Sequence, residues 1–179
     1  MDKTELAKRA QETCYLQGHF VLRSGQTTDF YFDKYLLEGD PQLLQAVAEL
    51  MAPLIPKRTE VLAGLELGGV PISTALSLLT GLPQVMVRKV AKAYGTAKLA
   101  EGPDVAGRRL LVVEDVITTG GQVVTSTGDL RERGAVVDSA LCVIDRRPQL
   151  GNGVDALAAA GLSLVSLFSA KDLLDTARS

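Results

Sequence analysis

The ten residues Val112–Gly121 read VVEDVITTGG, and their types could do two linked pieces of chemistry. Glu114 and Asp115 are adjacent carboxylates, which accept hydrogen bonds from vicinal hydroxyls. Thr118 and Thr119 add hydroxyl donors. Gly120 and Gly121 let backbone N–H groups converge just ahead of a helix, whose N-terminus attracts an anion. An acidic pair followed by a phosphate cradle suits a ribose 5-phosphate lying across a strand end. The plainer alternative is an ordinary strand–turn–helix junction with surface acids, which would not need the whole combination. Two better-known phosphate motifs are missing: the chain holds no G-x-x-x-x-G-K-[ST] and no G-x-G-x-x-G.

A second cluster, Arg88-Lys89-x-x-Lys92-x-Tyr94-Gly95-Thr96, packs three cations into five positions. A solvated basic face is the bland reading. The cluster follows a strand end, however, and opens a Gly-containing stretch at 88–108 that suits a lid over a polyphosphate leaving group. The Gly68-Gly69 turn offers backbone N–H groups to the same anion. Phe20–Gly25, which includes Arg23, precedes Phe30-Tyr31-Phe32-Asp33, and a hairpin packed on the core would use the same aromatics. The lone His19 lies outside these groups and is expected to be structural. Cys14 and Cys142 fit no ligand spacing and read as buried, reduced thiols.

Periodicity and caps indicate the elements that must position these residues. Residues 4–16 suggest a helix with Thr4 as N-cap and Gly18 as its stop. His19–Tyr35 reads as a hairpin or a pair of strands broken at Ser24-Gly25. Asp40-Pro41 opens a helix whose apolar face is Leu43, Leu44, Val47, Leu50, Met51 and Leu54. Strands are predicted at Val61–Gly64, Gln84–Val87, Leu110–Val113, Val136–Ile144 and Leu162–Leu167. Helices are predicted at Pro71–Leu79 and Gln122–Arg133. A short helix follows the Gly-rich link at 151–153, and a last one is opened by Ser169-x-x-Asp172.

Residues 90–108 read as a long loop. Strands separated by single helices need right-handed crossovers, so the fold class is α/β, a mainly parallel sheet flanked by helices on both faces. Ligands then sit beyond the carboxyl ends of the strands, at loops 64–71, 88–108 and 114–121. Burying adjacent charges is costly, so Glu114 and Asp115 are expected at the end of their strand, with the chain leaving it at Asp115.

Composition bounds the rest. One domain is expected over residues 1–179, with 46% hydrophobic and 22% charged residues as in a soluble globular chain. A net charge of -2 leaves no overall footprint for nucleic acid, and 4% aromatics without Trp weaken any base-stacking platform. The charged start and the lack of a long apolar run argue against a signal peptide or a membrane span, so a cytoplasmic location is expected.

Val112–Gly121 resembles the signature of type I phosphoribosyltransferases, which use 5-phosphoribosyl 1-diphosphate (PRPP). The resemblance implies that Glu114 and Asp115 hold the ribose 2′- and 3′-hydroxyls. It also implies that Val116, Ile117, Thr118, Thr119, Gly120, Gly121 and Gln122 wrap the 5′-phosphate. With the basic loop, the Phe20–Asp33 segment and Asp145-Arg146, the chain is similar to orotate phosphoribosyltransferases over nearly its full length. That similarity implies a hood over the base, formed by about residues 1–36 with part of the C-terminus. It implies catalytic and PRPP-binding roles for Arg88, Lys89 and Lys92, further PRPP contacts from Tyr94, Gly68 and Gly69, and orotate contacts from Thr118, Arg146 and Arg23. A homodimer sharing the 88–108 loop is implied as well. Mg²⁺ is expected to bind mainly through PRPP and pyrophosphate, without a dedicated protein cage.

Two positions depart from that family. Many bacterial members carry a lysine where this chain has Gly68 and a histidine where it has Tyr94. Rival readings are transfer to another base, and a PRPP-sensing regulator without enzymatic activity. Such a regulator needs an effector surface, and the stretch ahead of the hood is expected to be too short for a helix-turn-helix module.

Overall fold

The computed structural model describes residues 1–21, 25–90, 99–150 and 155–176. Asp2 begins the first helix: its Oδ1 accepts the Glu5 amide at 2.9 Å, so α1 covers Lys3–Cys14 and Thr4 is not its cap. Gly18 does not stop this helix either. It lies inside strand β1 (Tyr15–Val21), which pairs antiparallel with β2 (Thr27–Phe32). The hairpin expected in this region therefore starts four residues early. Cross-strand ring pairs favour that register, with Tyr15 stacked on Phe30 at 5.4 Å and Phe20 tilted against Tyr31 at 5.5 Å.

Next comes a helix with no counterpart in the sequence reading, α2 (Lys34–Gly39). Asp33 caps it by accepting the Tyr35 amide at 3.0 Å. One turn later Asp40 caps α3 (Pro41–Met51), accepting the amides of Gln42 and Leu43 at 2.8 and 3.0 Å. Two aspartate caps seven residues apart split a segment that reads as a strand tail followed by one helix.

The main sheet is built from β3 (Val61–Leu65), β4 (Gln84–Val87), β5 (Ala100–Glu101), β6 (Arg109–Ile117), β7 (Val136–Asp145) and β8 (Ser163–Ser169). Spatial order is β5-β4-β3-β6-β7-β8, parallel throughout except for the antiparallel edge pair β4/β5. Helices α4 (Gly69–Thr80), α5 (Gly121–Glu132), α6 (Ala156–Ala159) and α7 (Ala170–Thr176) complete the α/β architecture. The region expected as loop between 90 and 108 thus contributes β5. Residues 91–98 and the link at 151–153 lie outside the described residues.

Two cores flank the sheet because its strands alternate. Leu62, Leu111, Val113, Leu141 and Val143 face a cluster closed by α1, α2, α3 and α4. Val61, Ala63, Leu110, Val112 and Ala140 face the other, closed by α5 and α6. Cys14 and Cys142 are buried free thiols within these cores. Helix α7 opens with the expected reciprocal cap: the Ser169 amide donates to Asp172 at 2.7 Å and the Asp172 amide to Ser169 Oγ at 3.2 Å. It packs against α1, so the two ends of the described chain meet. No helix among the described residues is long and apolar enough to cross a membrane.

Candidate active site

Three strand ends converge, and their backbones are tied together. In the turn between β3 and α4, the Glu66 amide donates to the Val87 carbonyl at 2.8 Å, and Glu66 Oε1 accepts the Lys89 amide at 2.7 Å. Gly69 lies so close to β6 that a Cβ there would run into the Val113 carbonyl. The Gly68-Gly69 turn is therefore pressed onto the strand end that carries the acidic pair.

Strand β6 does not end at Val113. It pairs with β7 as far as Val116↔Ile144 and Ile117↔Asp145, so the chain is still extended at Asp115. Nor does Asp115 reach solvent, being only 2% exposed. The expectation that the chain leaves the strand at Asp115 is corrected by this pairing and by the partners of the carboxylate. One Asp115 carboxylate oxygen accepts the Val116 amide, and the other is ion-paired to Lys34 of α2. The alternation slips after this point: Val116 packs with the first core and Ile117 with the second.

Electrostatics at this spot follow from burial. Burial, then a hydrogen bond to Asp115 and the charge beside it, pushes the Glu38 carboxyl up to about 8. Burial and then Asp115 likewise push the half-buried Glu114 up to about 9. Burial works against the charge on Lys34, yet the Asp115 carboxylate holds its ammonium above the ordinary lysine range. Glu114 Oε2 is buried with no hydrogen-bond partner, so it is a ready acceptor for a hydroxyl.

Beyond β6 the cradle is open. Thr118, Thr119, Gly121 and Gln122 are exposed. Gly120, at φ 79°, takes the left-handed turn that starts α5, and the Gly121 amide donates to Thr119 Oγ1 at 3.4 Å. Of the cations, Lys89 is exposed and close enough to Glu114 to lower its pKa. Arg88 is half-buried, 3.6 Å from Glu101 of β5. Arg146 is exposed, and its amide donates to the Ile117 carbonyl at 2.8 Å, which places it beside Thr118. Lys92, Tyr94 and Arg23 lie outside the described residues. His19 is exposed on the hairpin, 3.8 Å from Asp29.

A phosphoribosyl transferase domain matches residues 37–166. The chain belongs to the phosphoribosyltransferase family. It is 56% identical to an orotate phosphoribosyltransferase of Nocardioides sp., over 97% of this chain and 94% of that one. Among solved structures, the orotate phosphoribosyltransferase of Mycobacterium tuberculosis H37Rv is similar at a TM-score of 0.84 and 33% identity, covering 97% of this chain and 99% of that one. A structure of that enzyme in complex with PRPP superposes with a TM-score of 0.80 at 30% identity, over the same shares of the two chains. The mainly parallel sheet flanked by helices is the type I phosphoribosyltransferase fold.

Two groups of this phosphoribosyltransferase escape a sequence reading. Lys34 and Glu38 stand on a helix of six residues, too short to show a period. Arg147 forms a two-pronged pair with Asp145, Nε to Oδ1 at 3.0 Å and Nη2 to Oδ2 at 2.9 Å, and reaches Asp155 Oδ1 at 2.7 Å. Only the proximity of Asp33 and Asp40 hints at α2, and nothing in the Arg146-Arg147 doublet separates its two members.

Proposed function

We propose that this chain transfers ribose 5-phosphate from PRPP to N1 of orotate, giving orotidine 5′-monophosphate and pyrophosphate. The observation that carries the reading is the continuity of the site: an acidic pair in β6 runs directly into the open Thr118–Gln122 cradle at the start of α5. Its 56% identity to an orotate phosphoribosyltransferase and the PRPP complex of a similar enzyme support the choice of donor and base.

In this reading Glu114 and Asp115 accept the 2′- and 3′-hydroxyls and fix the ribose. The 5′-phosphate takes the backbone N–H groups and hydroxyls of Thr118–Gln122, at the positive end of α5. With both ends of the sugar held, C1′ is presented to the acceptor while its bond to the diphosphate oxygen breaks. N1 of orotate, having lost its proton, forms the new bond. Arg88, Lys89 and Lys92 offset charge on the departing diphosphate, with Tyr94 and the Gly68-Gly69 amides beside them. Thr118, Arg146 and Arg23 contact orotate, for whose carboxylate an arginine is a natural partner.

Among the described residues no three ligand side chains converge on a metal position. The unpartnered Glu114 Oε2 fits an acceptor for the water shell of a Mg²⁺ held mainly by PRPP oxygens. When bound, the ion offsets phosphate charge. We further read one domain over 1–179, the β1–β2 hairpin and the α1–α7 contact as a hood over the base, a homodimer sharing the 88–108 loop, and a cytoplasmic location.

The deciding assay supplies PRPP, Mg²⁺ and one base at a time and follows pyrophosphate release. Turnover with orotate is expected. Turnover with hypoxanthine or uracil in its place would reassign the base. Tight PRPP binding with no turnover on any base would make the chain a sensor.

A further inference from the structure

Asp115 is a buried carboxylate whose surroundings come from two distant parts of the chain. Lys34 reaches it from the first turn of α2, and Glu38, one turn further along the same helix face, turns Oε1 toward the same spot. Their meeting point is marked by Gly68. A Cβ there would strike the Asp115 carboxylate and come within 2.8 Å of Glu38 Oε1. Asp115, Glu38, Lys34 and the Gly68 backbone thus fill one compartment directly behind the hydroxyl-accepting end of β6.

The helix does not need this ion pair for its own formation. Asp33 caps it, and Leu37 anchors it in the core. A buried ion pair is also a poor source of stability, because desolvation offsets most of its attraction. What the pair does well is fix a carboxylate in place. A carboxylate has about four acceptor positions. The Val116 amide and Lys34 use one on each oxygen, and Glu38 and Glu114 hydrogen-bond to the same carboxylate, so its orientation is set from several sides.

We propose that α2 is the second half of the ribose clamp: Lys34 and Glu38 are positioning residues that hold the Asp115 carboxylate, and through it the vicinal hydroxyls of PRPP. This rests on the donor assignment made above. Lys34 is then the cation that makes an acidic pair tolerable inside a strand, and Glu38 is a second contact from α2 that limits rotation of the Asp115 carboxylate.

The test compares Lys34→Gln, Lys34→Arg, Glu38→Ala, Asp115→Asn and the Lys34→Gln/Asp115→Asn double variant. PRPP binding is read by calorimetry and steady-state constants by pyrophosphate release. Loss of one charged hydrogen bond predicts a weakening of PRPP binding by about tenfold or more in Lys34→Gln. The KM for orotate should move far less, and Lys34→Arg should recover most of the loss. The double variant should bind PRPP no worse than Asp115→Asn alone, because both changes disable one element. Unchanged PRPP affinity in Lys34→Gln, or losses that multiply in the double variant, would overturn the proposal. Should Lys34→Gln fail to fold, Glu38→Ala decides, since it removes this contact to Asp115 outright: unchanged PRPP affinity there sinks the clamp. Failure of the donor assignment looks different, because the unaltered chain would then bind no PRPP at all.

Discussion

The volume that a side chain at Gly68 would need is occupied by the carboxylate of Asp115. The two residues are far apart in sequence, yet a side chain at position 68 would need the space that Asp115 fills. A lysine at this position has no room while α2 holds Asp115 where it is. Gly68→Ala is therefore expected to push Asp115 off Lys34. Overpacking of this kind costs about 1–3 kcal/mol, and PRPP affinity should fall with stability. Thermal melting with a PRPP titration checks it; a variant as stable and as tight as the parent would contradict the geometry.

Glu38 predicts a pH effect whose sign is unusual for a carboxyl. Its folded pKa, about 8, lies above the ordinary 4.5, with burial as the main cause. Between those values the unfolded chain releases a proton that the folded chain keeps. This group's contribution to stability therefore falls as pH rises from about 4.5 to about 8 and is level above that. Glu38→Gln should remove this share of the slope and melt about 3 °C higher than the parent at pH 8. Parallel stability–pH curves for the two proteins would count against a protonated Glu38.

Arg146 and Arg147 should part company under mutation. Arg147 holds Asp145 and Asp155, and Asp155 caps α6 through the amides of Leu157 and Ala158 at 3.0 and 3.3 Å. Leu157 in turn packs where a Cβ on Gly120 would sit, 3.1 Å away. Arg147→Met should cost about 1.5–3 kcal/mol in stability, the range for hydrogen bonds to charged groups, and loosen the cradle from below. Arg146→Ala is exposed and should change stability by less than about 0.5 kcal/mol while weakening orotate use. Melting curves and orotate saturation for the pair distinguish the roles. A swap of the two phenotypes would show that Arg147, rather than Arg146, meets the base.

The proposed sharing of the 88–108 loop between subunits predicts complementation. Lys92→Ala and Asp115→Asn should each be nearly inactive alone. Mixed and allowed to exchange subunits, they should regain about a quarter to a half of the parent's activity per site, because some hybrid sites contain neither change. Mixtures no more active than the sum of the parts would place Lys92 in its own subunit's site.

The sequence was most legible where one rule acts locally. Asp40-Pro41, the Ser169–Asp172 cap and the strand Gln84–Val87 were each readable from a few neighbouring residues, and the parallel sheet followed from their alternation with helices. Helix α2 was not, because six residues offer too little periodicity and Leu36-Leu37 continue the apolar look of the preceding strand. The length of β6 was missed for a different reason. Glu114 and Asp115 look like an exit from the sheet, and only pairing with Cys142–Asp145 of β7 keeps them in it. Burial of Asp115 depends on Lys34, which lies far up the chain and is brought near only by tertiary packing. The cradle itself was legible because its hydroxyls and glycines are consecutive.

The last rung between β6 and β7 joins the Ile117 carbonyl to the Arg146 amide. One peptide unit thus anchors both the phosphate cradle and the residue assigned to the acceptor base. For protein engineering, the consequence is that these two recognition functions share a mount but not a tool. Grafting a foreign loop after β7 would strain the cradle, whereas replacing the exposed Arg146 side chain would leave that rung intact. Altered base preference should therefore be sought by single-residue libraries at position 146, with the backbone on either side kept as it is.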